Sequence, residues 1–108
     1  YGPDQDYGAK NSVYVPFFCI PPATITSTSR IAHSTKANII FMSQYRKDNG
    51  RYLVRLSGMS QKYPSKDIPA DCELIYKKVE EAILLAPDQY WWLHRRFKPR
   101  PLGEEKIY

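Results

Sequence analysis

The chain has little of what several protein classes require. Its two cysteines, Cys19 and Cys72, lie far apart and match no metal-ligand spacing, so we expect free thiols and neither a zinc site nor a disulfide framework. Its five glycines are scattered, and none precedes a Lys-Ser or Lys-Thr pair, which argues against a phosphate-binding loop. No apolar run approaches the ~18 residues that a membrane-spanning helix needs. The sequence therefore predicts no metal, no cofactor and no spanning helix.

The length and the charge of the chain limit the classes of protein that remain possible. With 108 residues the chain is long enough for one modest core. The net charge is +5, and residues 94–106 hold five cations against two acids. A basic end of this kind favours an anionic partner, whether nucleic acid, phospholipid, phosphorylated glycolipid or acidic protein. The chain has no initiator Met and no signal-peptide pattern, from which we expect a piece of a longer protein.

The first half of the chain is predicted to form a strand, a helix and a hairpin. The apolar run 13–18 predicts a strand, and 23–36, which is rich in small residues and hydroxyls, predicts a helix. The β-rich runs 38–46 and 51–56 flank an Asn-Gly pair, whose positive φ angles suit a tight hairpin turn.

Two more helices are predicted after the hairpin. Asp67 is placed to cap the first of them and Pro69 fits its first turn. An apolar stripe with helical spacing follows, formed by Cys72, Ile75, Val79, Ala82 and Ala86. Pro87 ends this helix and is predicted to open another, which runs to Pro99. Residues 99–108 are predicted to be a tail. Helices packed against strands and a hairpin make the predicted class α/β or α+β.

Residues 90–98, Tyr-Trp-Trp-Leu-His-Arg-Arg-Phe-Lys, form the aromatic-basic segment and contain both tryptophans. Its rings and cations suit a boundary between apolar matter and water or phosphate. Tyr90, Leu93 and Phe97 also recur at helical spacing, so the alternative is that part of the segment is core and its cations are solvated. Two functional classes fit the segment: a membrane-surface enzyme acting on an anionic lipid, and a small module that stacks nucleic-acid bases.

Two carboxylates, Asp4 and Asp6, flank an amide in the acidic turn, residues 3–8. Such a pair can orient a catalytic imidazole or a cation, but Asp and Gly at these positions more often stabilise a turn. Neither His33 nor His94 belongs to a recognisable nucleophilic triad, so both are predicted to be hydrogen-bonded or interfacial histidines.

Three ordered blocks of the sequence resemble the lipid A late acyltransferases of Gram-negative bacteria, particularly the lauroyl-transferase branch. The blocks are Tyr-Gly-Pro-Asp-Gln-Asp-Tyr-Gly at 1–8, Ser-Val-Tyr-Val-Pro-Phe-Phe at 12–18, and Ala-Pro-Asp-Gln-Tyr-Trp-Trp-Leu-His-Arg-Arg-Phe-Lys at 86–98, followed by Arg100-Pro101 and Gly103. The resemblance covers essentially the whole chain. It implies that residues 1–108 are the C-terminal portion of one acyltransferase domain with a glycerolipid-acyltransferase-like α/β fold.

The resemblance also implies a reaction and a place in the cell. An inner-membrane enzyme at the cytoplasmic face would move a fatty acyl chain from acyl carrier protein to a hydroxyl of a Kdo-bearing lipid A precursor, with no nucleic acid involved. A relative acting on another glycolipid is the alternative. In this family a histidine followed five positions later by Asp or Glu acts as general base. Here His33 leads to Asn38 and His94 to Pro99. The pair is expected upstream of Tyr1, and the isolated chain is predicted to be inactive.

The resemblance assigns roles to several residues. Asp4 matches the position that the family places in its active site, in a supporting role beside the missing base, and Asp6 is the second choice. Contacts to glycolipid phosphates or to acidic carrier protein are expected from Arg95, Arg96 and Lys98. The membrane headgroup level is the expected place of Trp91 and Trp92.

Overall fold

The computed structural model describes residues 1–59 and 62–108. Its elements, in chain order, are β1 (Ser12–Tyr14), β2 (Ala23–Ile25), α1 (Ser27–Thr35), β3 (Ile40–Arg46), β4 (Tyr52–Gly58) and α2 (Ile68–Leu85). Strand β1 pairs antiparallel with β2, and β3 pairs antiparallel with β4, which gives two two-stranded sheets. The predicted mixture of helices and strands is confirmed.

The hairpin of β3 and β4 forms around the predicted Asn-Gly turn. Arg46 lies opposite Tyr52, and the Lys47 N–H donates to the Arg51 carbonyl over 2.8 Å. Gly50 has a φ of +78°, a left-handed conformation that glycine adopts without a steric penalty. The hairpin prediction is confirmed, with strands that begin and end within two residues of the predicted runs.

Helix α2 begins at the predicted cap. The Asp67 carboxylate accepts the Ala70 N–H over 3.1 Å, and proline occupies the first turn. Ala82 of the predicted stripe is only half-buried, and Ala86 lies beyond the last helical residue. The buried face of the helix is instead completed by a residue that the stripe omitted, Tyr76, together with Ile83.

Two of the predicted elements in the first half are shorter than expected. In the run 13–18 only the first residues pair as a strand, because the chain reverses at Phe18 and Cys19, which have φ values of 47° and 64°. The predicted helix 23–36 loses its first residues to β2. Thr24 and Ile25 are β-branched and pair with β1, so the extended conformation is more stable than a helix at these residues.

The prediction of a helix through the aromatic-basic segment is wrong. Only two single 3₁₀ turns form, Pro87–Gln89 and Trp92–His94, with an extended Tyr90 between them. The Trp92 indole N–H donates to the Pro87 carbonyl over 2.8 Å. Consecutive aromatic residues lose rotamer freedom in a helix, whereas here Tyr90 packs on the core and Trp92 packs against Tyr90 and Phe18. The segment therefore folds back over the body of the chain.

Phe17 lies at the centre of the core. Its side chain is 0% exposed, and its ring centroid is 4.9 Å from that of Tyr76, 6.4 Å from that of Tyr90 and 5.9 Å from that of Phe97. The alternative that part of the aromatic-basic segment is core is thus confirmed for Tyr90 and Phe97. It is wrong for Leu93, whose side chain is 83% exposed. The turn after β1 is where α2 and the aromatic-basic segment meet.

Residues 99–108, all of them described, contain no helix or strand. The Arg100 guanidinium anchors the start of this stretch by donating to the Pro21 carbonyl over 3.1 Å, and it pairs with Glu104. Among the described residues, none of the helices combines the length and the apolar character that crossing a bilayer requires.

Candidate functional site

The acidic turn and the aromatic-basic segment, which stand at opposite ends of the sequence, lie against each other. A nitrogen of the His94 ring, Nε2, is 3.1 Å from the Asp4 carbonyl oxygen. The two segments enclose an open cleft of about 460 Å³. Its lining consists of Asp4, Gln5, Asp6, Gln89, Tyr90, Trp91, His94 and Lys98. The fold thus gathers a carboxylate pair, a phenol, an imidazole and an amine around one space.

Local hydrogen bonds hold the acidic turn in shape. The Asp6 carboxylate accepts the Gly8 N–H over 2.8 Å, and Gly8 has a φ of +79°. The Ser12 hydroxyl donates to the Gly8 carbonyl over 2.8 Å and ties the turn to β1. Asp6 therefore fulfils the turn-stabilising role that the sequence predicted for this pair. Asp4 and Asp6 both line the cleft.

The Tyr90 hydroxyl is buried beside Asp4. Burial raises the pKa of this phenol well above its usual range, and the nearby charge of Asp4 raises the pKa further. The phenol therefore stays protonated at any physiological pH, and among the described residues its buried hydroxyl has no hydrogen-bond partner. Tyr90 was predicted as a core residue or, in the nucleic-acid alternative, as a base-stacking residue, so its place beside Asp4 is a role that the sequence argument missed.

His94 is hydrogen-bonded, as predicted. Because a carbonyl oxygen only accepts, the contact with Asp4 requires a proton on Nε2 of the imidazole. The ring lies between two aromatic side chains, with centroids 6.4 Å from that of Tyr90 and 6.4 Å from that of Trp91. This arrangement makes His94 a clamp on the backbone of the acidic turn.

Arg96 does not lie on the surface where the sequence led us to expect it. Arg96 is only 3% exposed, and its guanidinium carbon is 5.4 Å from the centroid of the Tyr76 ring on α2. Burial lowers the pKa of the guanidinium, while the charges of Asp6 and Asp4 oppose that shift. The expectation that Arg96 reaches lipid phosphates or carrier protein from the surface is corrected, because aromatic packing covers its side chain.

We call the exposed cations and the tryptophans of the aromatic-basic segment the rim, and two of its members, Trp91 and Lys98, line the cleft. Arg95 adopts a left-handed conformation with a φ of 51°, and its side chain is exposed over the Tyr108 ring. Lys98 is exposed and lines the cleft. Trp91 is 69% exposed and Trp92 48% exposed. The rim thus presents two cations beside two indole rings.

A side-chain clamp that the sequence did not predict joins this site to the hairpin. The Gln89 amide accepts the Arg46 N–H over 2.8 Å and donates to the Arg46 carbonyl over 2.9 Å. A second cleft, of about 280 Å³, lies between β3 and α2 and also reaches Asp4 and Tyr90. Gln89 belongs to the third sequence block, and this membership is the only sequence signal that could have pointed to a role for it.

Two observations bear on other chemistry. Among residues 1–59 and 62–108, no group of His, Cys, Asp and Glu side chains is arranged to hold a metal ion. Cys19 is exposed and Cys72 buried, and the two thiols are not bonded to each other. Burial, followed by the charge of Asp71, raises the pKa of Cys72 to about 11. A thiol in this state is a poor nucleophile at neutral pH.

The mixed α/β scaffold brings a carboxylate, a phenol and an imidazole to one open cleft, which is the kind of place where α/β proteins carry binding and active sites. Comparison with known proteins gives the family. Residues 1–99 match the model of the bacterial lipid A biosynthesis acyltransferases, and the chain belongs to this family. The resemblance read from the three sequence blocks is confirmed.

Individual relatives agree with this assignment. The chain is 38% identical over 110 residues to the lipid A biosynthesis lauroyltransferase of Escherichia coli and 36% identical over 110 residues to its palmitoleoyltransferase. It is 38% identical over 104 residues to a lipid A biosynthesis acyltransferase of Haemophilus influenzae. The first two matches cover 100% of this chain and 36% of each relative. The chain therefore spans about a third of the length of these relatives.

Proposed function

We propose that this chain supplies part of the active site of an acyltransferase in lipopolysaccharide biosynthesis. The enzyme moves a fatty acyl chain from acyl carrier protein to a hydroxyl of a Kdo-bearing lipid A precursor. The observation that supports this most is spatial: the first and third family blocks, 90 residues apart at Asp4 and His94, line a single cleft. In this proposal residues 1–108 are the C-terminal portion of a glycerolipid-acyltransferase-like domain, and residues 99–108 form its tail.

The proposed reaction defines what the cleft must provide. The acceptor hydroxyl oxygen attacks the thioester carbonyl carbon, so that a C–O bond forms and the C–S bond breaks. The hydroxyl proton passes to a general base and from there to the leaving thiolate. The base is a histidine of a His-x4-Asp/Glu pair, which these 108 residues do not contain. We assign it to another part of the enzyme.

Asp4 is proposed to support that base. When the histidine takes the proton it becomes a cation, and a neighbouring carboxylate stabilises this charge and fixes the orientation of the ring. Asp4 is half-buried and lines the cleft, and the His94 ring holds its backbone through the Asp4 carbonyl. Asp6 is the second choice, since one of its oxygens is already used by Gly8.

The rim, made of the exposed cations and tryptophans of the aromatic-basic segment, is proposed to dock the substrates at the membrane. Arg95 and Lys98 are exposed and suit glycolipid phosphates or the acidic surface of acyl carrier protein. Trp91 and Trp92 suit the headgroup level of the cytoplasmic face of the inner membrane, because an indole ring has an apolar body and a polar N–H. Arg96 is left out of this group because it is buried.

The function is tested in a chimera in which this chain replaces the matching stretch of the E. coli lauroyltransferase. Membranes containing the chimera receive acyl-carrier-protein thioesters of several chain lengths and an acceptor with or without Kdo. We expect acyl transfer to the Kdo-bearing acceptor, and a loss of about 10²-fold or more in Asp4→Ala. Asp48→Ala, in the exposed hairpin turn, is the matched control. Undiminished transfer by Asp4→Ala would remove Asp4 from the site, and an inactive chimera with all donors would contradict the function.

A further inference from the structure

The hairpin of β3 and β4 carries an apolar face that the described residues leave uncovered. Met42 lies opposite Leu56 in the ladder, and three more apolar residues stand an even number of positions from this pair, so all their side chains point to the same side. The five are between 51% and 66% exposed: Ile40, Met42, Tyr52, Val54 and Leu56. Single apolar residues are ordinary on a protein surface, but a contiguous group marks an interaction site.

The opposite face of the hairpin already packs on the body of the chain. Phe41 packs against the buried core, and the Tyr45 hydroxyl donates to the Ala82 carbonyl of α2 over 3.1 Å. A sheet with one face in water alternates apolar and polar residues, whereas Ile40, Phe41 and Met42 are apolar in succession. This composition is typical of a strand that is covered on both faces.

Strand β3 also has an open edge. Just beyond the strand the Lys47 N–H donates to the Arg51 carbonyl, and hydrogen-bonded pairs recur at every second position of an antiparallel ladder. The odd-numbered residues of β3 therefore bond to β4, and the peptide groups of the even-numbered residues face away from it.

A side chain binds one end of this edge. The Gln89 amide both accepts from and donates to the peptide groups of Arg46, as an added strand would. Among the described residues, none hydrogen-bonds to the peptide groups of Met42 or Gln44 on this edge. An edge with free peptide groups beside an apolar face is a surface to which a further strand binds.

The open edge borders the candidate site. The cleft of about 280 Å³ is lined by Met42 and Gln44 of β3 and by Asp4 of the acidic turn. Its lining contains no described residue of β4. A segment bound along β3 therefore lies next to the carboxylate beside which the proposed general base acts.

We propose that the open edge of β3 and the apolar face of the hairpin bind the part of the acyltransferase that lies outside the matched stretch, with one of its β-strands added along β3. The match covers 36% of each E. coli relative, so most of such an enzyme lies outside it. The added strand takes up the free peptide groups, and the elements connected to it cover the apolar face. This inference rests on the proposed function, which requires that part to bring a histidine base to Asp4.

Amide hydrogen exchange tests the added strand independently of activity. The 108-residue chain is compared with the chimera of the E. coli lauroyltransferase, both in the same detergent. We expect the amides of Met42 and Gln44 to exchange at least about tenfold more slowly in the chimera, because the amide of a paired strand exchanges only when the strand opens. The Ser43 amide faces β4 and should be protected in both proteins, which shows that the hairpin is formed. Equal exchange at Met42 and Gln44 in the two proteins would overturn the inference.

Two substitutions of one residue test the edge in the chimera. Gln44→Pro removes the outward N–H and leaves the bonds to β4, whereas Gln44→Ala removes the side chain and keeps that N–H. We expect Gln44→Pro to lower acyl transfer by about 10²-fold, because displaced catalytic groups cost rate, and Gln44→Ala to lower it far less. Equal losses in the two variants would contradict the role of the edge. If the unsubstituted chimera is inactive, the proposed function fails and the exchange of Met42 and Gln44 still decides the docking.

A charge introduced on the apolar face tests whether that face is covered. Leu56→Lys should leave the urea midpoint of the 108-residue chain nearly unchanged, because Leu56 is 66% exposed there. In the chimera it should lower the melting temperature by about 5 °C or more, because the same position is buried. Leu84→Lys, on α2 at a position 68% exposed, is the matched control and should change neither protein appreciably. An unaffected chimera, or a dimer of the 108-residue chain that Leu56→Lys dissociates, would overturn the inference, the dimer by assigning the face to a second copy.

Discussion

Replacing Phe17 with alanine tests whether the aromatic-basic segment depends on the core beneath it. The Phe17 side chain is fully buried and touches the rings of Tyr76, Tyr90 and Phe97. Removing a buried phenyl ring costs about 3–5 kcal/mol, since transfer energy is lost and a cavity remains. A domain of this size has a total stability of about 5–15 kcal/mol. We therefore expect Phe17→Ala to lose a large part of its stability.

Urea unfolding measures this loss with two probes. Small proteins have an m-value of about 1–3 kcal/mol/M in urea, so the midpoint should fall by about 1 M or more. Circular dichroism follows the helices, and tryptophan fluorescence follows the segment, because the Trp92 ring packs 4.8 Å from that of Tyr90 and 6.1 Å from that of Phe18. In Phe17→Ala we expect the fluorescence change to come at the lower urea concentration, since the segment loses its main core contact.

The control is Leu93→Ala in the same segment. Leu93 is a large apolar residue that is almost fully exposed, so its removal should change stability by no more than about 0.5 kcal/mol. Phe17→Leu should fall between the two, because it keeps most of the apolar volume. A midpoint shift for Phe17→Ala as small as that of Leu93→Ala would refute the idea that Phe17 carries the segment.

Two further predictions concern a thiol and the rim. Burial raises the pKa of the Cys72 thiol from 9.0 to about 11. The buried neutral thiol therefore makes its full contribution to stability below about pH 9, and this contribution is lost as the pH rises towards 11. Unfolding midpoints at pH 8 and pH 10.5 should therefore differ more in the parent than in Cys72→Ala, and equal differences would contradict this. Arg95→Ala with Lys98→Ala should weaken binding to anionic vesicles and reduce its salt sensitivity. Arg51→Ala with Arg55→Ala, a pair on the hairpin, is the control, and equal partitioning of both double variants would assign the two rim cations no membrane role.

Some elements were readable from the sequence because their signals are local. An Asn-Gly pair sets the hairpin turn by its own φ angles, and Asp67 caps α2 through a bond to a residue three positions away. The elements that failed depended on distant partners. Strand β2 exists because Thr24 and Ile25 pair with β1, and the aromatic-basic segment avoids a helix because Tyr90 and Phe97 pack on the core.

The candidate site also combines features that the sequence reveals locally with features that depend on distant partners. Asp4 was found through its place in a family block, and its role remains a proposal. The cleft around it depends on His94 and Tyr90, which lie about 90 residues away and became part of the site only when the chain folded. Gln89 gave no chemical signal by itself, because a lone glutamine is an ordinary surface residue. Its clamp on Arg46 requires the hairpin to be in place.

The sequence by itself determined the mixed α/β class, the hairpin, the capped helix and membership of the lipid A acyltransferase family, since local propensities and ordered motifs need no partner to be recognised. Only the tertiary structure decided which of three neighbouring cations is buried. Arg95 and Lys98 remain exposed, whereas Arg96 lies over Tyr76 and within the electrostatic reach of Asp6. Charge is a property of a residue, but burial is a property of the packing around it.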